Sequence, residues 1–165
     1  MVHLETTLFG TLEFPVEEGL FQDVAAVLEG REVSFRLYIW EDLAAEDRRG
    51  EILNFLEHLP ELYRRAREEM QRGYRTNAVM AYFIEDQVTY LDEARLTACF
   101  GAACREDVTA ERFIGKLELR GVAIAPREGA CGCTLDFSLD PALSDELLVF
   151  RFDPALALYD ISHES

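Results

Sequence analysis

Four cysteines, Cys99, Cys104, Cys131 and Cys133, are the residues of this 165-residue chain whose type and spacing come nearest to a reaction centre. Zinc takes four ligands, often as two close pairs of thiolates. The pairs here are C-x4-C in ACFGAAC and C-x-C in GACGCTLDFSLD, and neither is the C-x2-C of an ordinary zinc knuckle. The register of the second pair offers another reading. If a strand extends back to Cys131, then Cys131 and Cys133 share the face of Leu135, Phe137 and Leu139, an apolar side on which a free cysteine behaves as a small hydrophobe. Residues i and i+2 on a strand stand about 6.6–6.8 Å apart, whereas a disulfide needs β-carbons near ~4 Å. Gly129 and Gly132 keep a turn open at this point. Packing is the preferred reading, and a small metal- or thiol-dependent protein using all four cysteines is the alternative.

The other reactive types are sparser. His3, His58 and His163 show no paired metal spacing. His58 precedes Leu59-Pro60 near an expected helix end, where a cation suits the dipole. His163, in DISHES, has carboxylates beside it in sequence, but a solvated terminus is the preferred reading. No nucleophile elbow, phosphate loop or dinucleotide fingerprint occurs, so no catalytic residue and no cofactor is expected. ELYRRAREEMQRGYR is locally basic, with Arg64, Arg65, Arg67, Arg72 and Arg75. Its Glu61–Arg65 and Glu68–Arg72 spacings suit a solvated helix face, and a docking surface for an acidic partner is the lesser reading. Carboxylates cluster in PVEEG and WEDLAAED, where Glu17, Glu18, Glu41, Asp42, Glu46 and Asp47 fall near turns and could form one acidic rim. They lack the ligand order of a calcium loop.

Bulk charge narrows the partners. Asp and Glu number 32 against 16 Lys and Arg, a net of −16, and every base except Lys116 is arginine. Such a surface repels phosphate backbones and anionic lipid, so neither nucleic acid nor membrane is an expected partner. A basic protein would be attracted. MVHLETTLFG has no signal-peptide organisation and no apolar run approaches the ~20 residues of a membrane span. A cytoplasmic location is expected, where thiols stay reduced.

Periodicity supplies the elements that would hold these groups. Leu8, Gly10, Leu12 and Phe14 alternate as a strand ended by Pro15, and GLFQDVAAVLEGREVSFRLYIW reads as a hairpin turning at Glu29-Gly30. From about Glu46 the period becomes helical through Ile52, Phe55, Leu56, Leu59, Ala66 and Met70, with Pro60 forcing a kink or two consecutive helices. A second long helix runs from about Asn77 to Leu91, and DEARLTACFGAACREDV reads as a short helix or turn and then a loop. Thr109 caps a short helix through Lys116. LELRGVAIAP, CGCTLDFSLD, DELLVFRFD and ALALYDIS read as four more strands, with turns at Asp140-Pro141 and Asp153-Pro154. Runs of strands, then helices, then strands imply α+β: an antiparallel sheet with two long helices and a short one on one face, in a single domain over residues 1–165.

TLFGTLEF, LELRGVAI and LDFSLDPALSDELLVFRFDPALALYDISHES resemble a family of small acidic bacterial proteins known only as a domain of unknown function. The likeness spans most of the chain and is densest over Leu135 to Ser165. It implies a single α+β domain and brings no catalytic residues. Some families of this general character are encoded beside polymorphic toxins and act as immunity proteins, and the resemblance implies such a role as the sharpest version. The cysteines of GACGC and ACFGAAC depart from that family pattern. The function expected is a non-enzymatic acidic protein-binding module.

Overall fold

A computed structural model describes residues 2–14, 20–40, 48–102 and 104–165. Strands β1 (Val2–Thr6) and β2 (Gly10–Phe14) form a separate two-stranded ribbon. Strands β3 (Leu20–Leu28) and β4 (Arg31–Ile39) follow, then helices α1 (Arg49–Glu57), α2 (Leu59–Gly73), α3 (Ala78–Tyr90), α4 (Glu93–Phe100) and α5 (Ala110–Lys116). The chain closes with β5 (Glu118–Arg127), β6 (Ala130–Ser138), β7 (Leu147–Phe152) and β8 (Leu158–Glu164). Strands β3 to β8 make one six-stranded sheet in sequential order, so the fold is α+β.

The sheet is mixed rather than wholly antiparallel, because β4 and β5 pair in parallel while every other neighbour is antiparallel. Parallel neighbours need a long crossover, and all five helices lie in that connection. Two hairpins turn on the same dipeptide. Glu29-Gly30 has φ of 51° and 75°, and Glu128-Gly129 has φ of 47° and 80°, the left-handed pair that two-residue hairpin loops require.

Helix ends follow their sequence signals. Pro60 lies in the first turn of α2, where its missing N–H costs nothing, and His58 separates α1 from α2. The Asn77 carboxamide accepts from the Val79 and Met80 amides at 3.0 and 3.1 Å. Asp92 accepts from Arg95 N at 2.8 Å and Thr109 from Arg112 N at 3.2 Å. Asp92 thereby starts a helix in DEARLTACF, where a short helix or turn is expected, and with two consecutive helices around Pro60 the described residues hold five α-helices.

The N-terminus differs from the single strand expected there. The chain reverses at Thr7–Phe9, closed by Thr6 Oγ1, which donates to Gly10 O and accepts from Phe9 N, each at 2.9 Å. Leu8 therefore sits exposed in the turn instead of on the face of Leu12 and Phe14, which are buried with Leu4.

One buried cluster draws on the ribbon, all five helices and the inner face of the sheet. Its rows can be followed across strands: Leu37, Val122, Leu135, Phe150 and Ile161 are successive partners, as are Ile39, Ile124, Cys133 and Phe152. Phe137 sits at the centre, stacked on Tyr63 of α2 at 6.0 Å and edge-on to Phe150 at 5.6 Å. Truncating a fully buried phenylalanine costs about 3–5 kcal/mol. Phe137→Ala should lower the unfolding free energy by that amount in a urea titration, and a loss below about 1 kcal/mol would place Phe137 outside the core.

Candidate functional site

The cysteines do not assemble. Cys131 and Cys133 are 0% and 1% exposed on β6, beside Leu135 and Phe137. The chain turns at Glu128-Gly129, before Cys131, so both thiols stay within the strand. The Cys131 amide donates to Glu51 Oε2 of α1 at 2.7 Å, which ties the helix to the sheet. Burial pushes the Cys133 thiol far up, so it is a neutral apolar group and a poor nucleophile. Cys99 lies on α4, where burial raises its pKa. Cys104 donates its thiol proton to Asp107 Oδ2 at 3.2 Å, and that bond raises its pKa. No group of three or more His, Cys, Asp and Glu is placed to hold a metal ion among the described residues.

The acidic rim expected at Glu17, Glu18, Glu41, Asp42, Glu46 and Asp47 lies outside the described residues. The residues that flank those segments, Leu20 and Trp40, stand at the same end of the β3–β4 hairpin, where Leu20 pairs with Ile39.

The histidines have structural partners. His58 joins α1 to α2, with Nδ1 against the Asn54 carbonyl at 2.8 Å. His3 faces Glu13 across the ribbon at 3.3 Å. His163 is not a solvated terminus. It is half-buried on β8, with Nε2 2.5 Å from Glu146 Oε2 and its ring edge-on to Phe83 of α3 at 5.0 Å. Adjacent sequence could not reveal Glu146, which lies 17 residues away.

The sheet's other face is the outstanding surface. Side chains alternate across a strand, so the residues between the core positions point away from the helices. One row runs Phe21, Tyr38, Ala123, Thr134, Arg151 and Asp160, and the next runs Asp23, Arg36, Gly121, Asp136, Val149 and Ser162. On the β3–β4 side Phe21, Val27 and Trp40 are 39%, 67% and 48% exposed, and Trp40 stands edge-on to half-buried Tyr38 at 6.3 Å. Arg36 lies over the Phe21 ring at 5.5 Å and pairs with Asp23 at 3.0 Å. Toward the middle the side chains shrink to Gly121, Ala123, Ala125 and Gly132. Arg127 crosses Gly132 and stacks on exposed Tyr159 at 3.7 Å.

At the β7–β8 side Arg151 gathers carboxylates. It donates to Asp160 Oδ2 at 2.8 Å and Ser162 Oγ at 2.6 Å, and also pairs closely with Glu164. Asp136 shares this region without a hydrogen bond to Arg151. A β-carbon on Gly121 would lie 2.9 Å from Asp136 Oδ2, so the glycine is what lets that carboxyl lie over the neighbouring strand. Burial, and then the charge of Glu164, push Asp136 up to about 6 against the opposing pull of Arg151. No helix is long and apolar enough to cross a membrane among the described residues.

The chain matches no protein-family model and has no significant match among curated proteins or solved structures.

The raised Asp136 pKa has a definite sign. The folded state favours the protonated acid, so the stability this group contributes is present below about pH 4 and is lost as pH rises to about 6. Asp136→Asn should therefore stabilise the protein above pH 6, by about 1–3 kcal/mol for a shift of this size, and should leave stability at pH 4 nearly unchanged. Denaturant midpoints at both values check this. A variant less stable than the wild type at pH 7 would contradict the burial of the ionised acid.

Proposed function

We propose that this chain is a non-enzymatic protein-binding module whose helix-free sheet face engages a basic protein at its β3–β5 side. The observation that carries the reading is the one-sided sheet. Its inner face is packed under the helices, while the outer face presents Phe21, Val27 and Trp40 beside a floor of Gly121, Ala123 and Ala125. Exposed aromatic anchors next to small side chains give a flat surface that a partner can desolvate. The same face carries Asp23, Glu32, Asp160 and Glu164 against Arg36, Arg127 and Arg151.

A net charge of −16 favours a basic partner through faster encounter and through rejection of acidic competitors. The acidic stretches at Glu17-Glu18 and Glu41–Asp47 precede β3 and follow β4 in sequence. Toxin neutralisation is the most specific version of the reading and follows the family resemblance. A cytoplasmic location suits cysteines that keep their thiols reduced.

The test compares affinity capture by the wild type, by Phe21→Glu/Trp40→Ala, and by Glu57→Gln as a substitution away from the sheet. A basic protein should be retained by the wild type and by Glu57→Gln in dilute buffer. It should be released at about 1 M salt, where the Debye length is about 3 Å, and should be lost from the double variant. Equal retention by the double variant, or no basic protein retained at low salt, would refute the reading.

A further inference from the structure

An arginine-rich corner on the helical side of the sheet breaks the acidic pattern of the chain. A cavity of about 550 Å³ opens between the β3–β4 turn and α2, lined by Arg31, Tyr63, Arg64, Arg67, Gln71 and Arg72 together with Glu29 and Glu68. Four arginines against two glutamates leave a local positive excess in a molecule whose acids outnumber its bases two to one. A second cavity of about 420 Å³ shares Arg31 and Tyr63 and adds Arg120 together with Glu32 and Glu118, so the positive excess is confined to the first.

What matters is which arginines are already neutralised. Arg64 and Arg72 pair with Glu68 and Glu69 on α2 itself. Arg31 has no carboxylate partner among the described residues, and neither does Arg67. The Arg67 guanidinium is half-buried and donates to the Leu117 carbonyl at 2.8 Å and, weakly, to that of Ile114 at 3.5 Å. Those carbonyls end α5, so Arg67 is held in place while part of its donor fork stays free. Burial, and then the charge of Arg31, lower its pKa, the signature of a cation kept beside a like charge. Arg120 in the second cavity is already paired, its Nη2 lying 3.0 Å from Glu118 Oε2, although its buried Nε has no hydrogen-bond partner. Adjacent like charges cost free energy, and an anion seated between Arg31 and Arg67 removes that cost.

We propose that this corner binds a small phosphorylated molecule, with Arg31 and Arg67 holding a phosphate group and Gln71 and Tyr63 lining its entrance. A phosphate dianion matches the local excess charge, and paired guanidinium forks suit its oxygens better than a single point charge would. The volume lies within the range of ordinary small-ligand sites, about 300–1,000 Å³. Size also selects against a nucleic acid, whose length would bring it against the acidic remainder of the surface. Arg31 shares the alternation of Val33 and Phe35 and so lies on the side opposite the proposed protein-docking face. The two readings therefore stand or fall separately.

Titration calorimetry with inorganic pyrophosphate tests the site, with citrate at matched ionic strength as the anion that lacks phosphate. Wild-type protein should bind pyrophosphate saturably with one site per chain, and citrate should bind at least tenfold more weakly. Arg31→Gln, at an exposed position with no carboxylate partner among the described residues, should weaken pyrophosphate binding at least tenfold while circular dichroism stays unchanged. Arg67→Gln should do the same, and Arg95→Gln on α4 should bind like the wild type. The proposal is overturned if the wild type shows no saturable binding, if citrate binds equally well, or if Arg31→Gln binds as tightly as Arg95→Gln.

Discussion

Where β4 and β5 run side by side in the same direction, Arg36 meets Gly121, Leu37 meets Val122, Tyr38 meets Ala123 and Ile39 meets Ile124. The Trp40 amide extends this seam by donating to the Ile124 carbonyl at 3.0 Å. The seam joins the β3–β4 hairpin to the meander of β5 to β8, and without it the six strands would be two small sheets. It also dictates where the helices go. A parallel step requires the chain to leave the sheet and return, and everything from α1 to α5 is spent on that return. The helices consequently bury one face of the sheet and leave the other to the strands' own side chains.

Each chemical feature takes its meaning from that asymmetry. On the packed face Cys131 and Cys133 fill apolar positions beside Leu135, and Glu51 reaches from α1 to the Cys131 amide. On the free face the same strands carry Ala123, Thr134, Asp136 and Arg151, with the aromatic residues gathered at the β3–β4 side. Alternation alone separates Cys133, whose thiol is held neutral by burial, from its neighbour Thr134 on the opposite side. The arginine corner arises at the rim, where the β3–β4 turn and the start of β5 approach α2.

Local physics made much of this legible in the chain. Alternation located the β3–β4 hairpin and its Glu-Gly turn, Pro60 divided α1 from α2, and Asn77 and Thr109 marked helix starts because capping acts over two or three residues. The register argument put Cys131 and Cys133 with Leu135 and Phe137, since it needs only the period of two. What escaped notice depends on long-range pairing. The parallel seam, the Glu146 partner of His163 and the approach of Arg31 to Arg67 all join residues far apart in sequence. The ribbon strand β1 is hidden in the sequence because Leu8 has the same parity as Leu12, although Thr6 reverses the chain before it. ELYRRAREEMQRGYR signalled its basic character, but only the fold shows which of its arginines stay without a carboxylate.

The claim that one face of the sheet is free to receive a partner is tested most directly by solvent exposure in the isolated protein. With a soluble paramagnetic agent in an NMR sample, the methyl signals of Ala25, Ala123, Ala125 and Thr134 should broaden strongly, while those of Ile124, Leu135 and Val122 in the same strands stay sharp. Equal protection of both sets would mean that the second face is covered as well, and the account of it as a docking surface would fail.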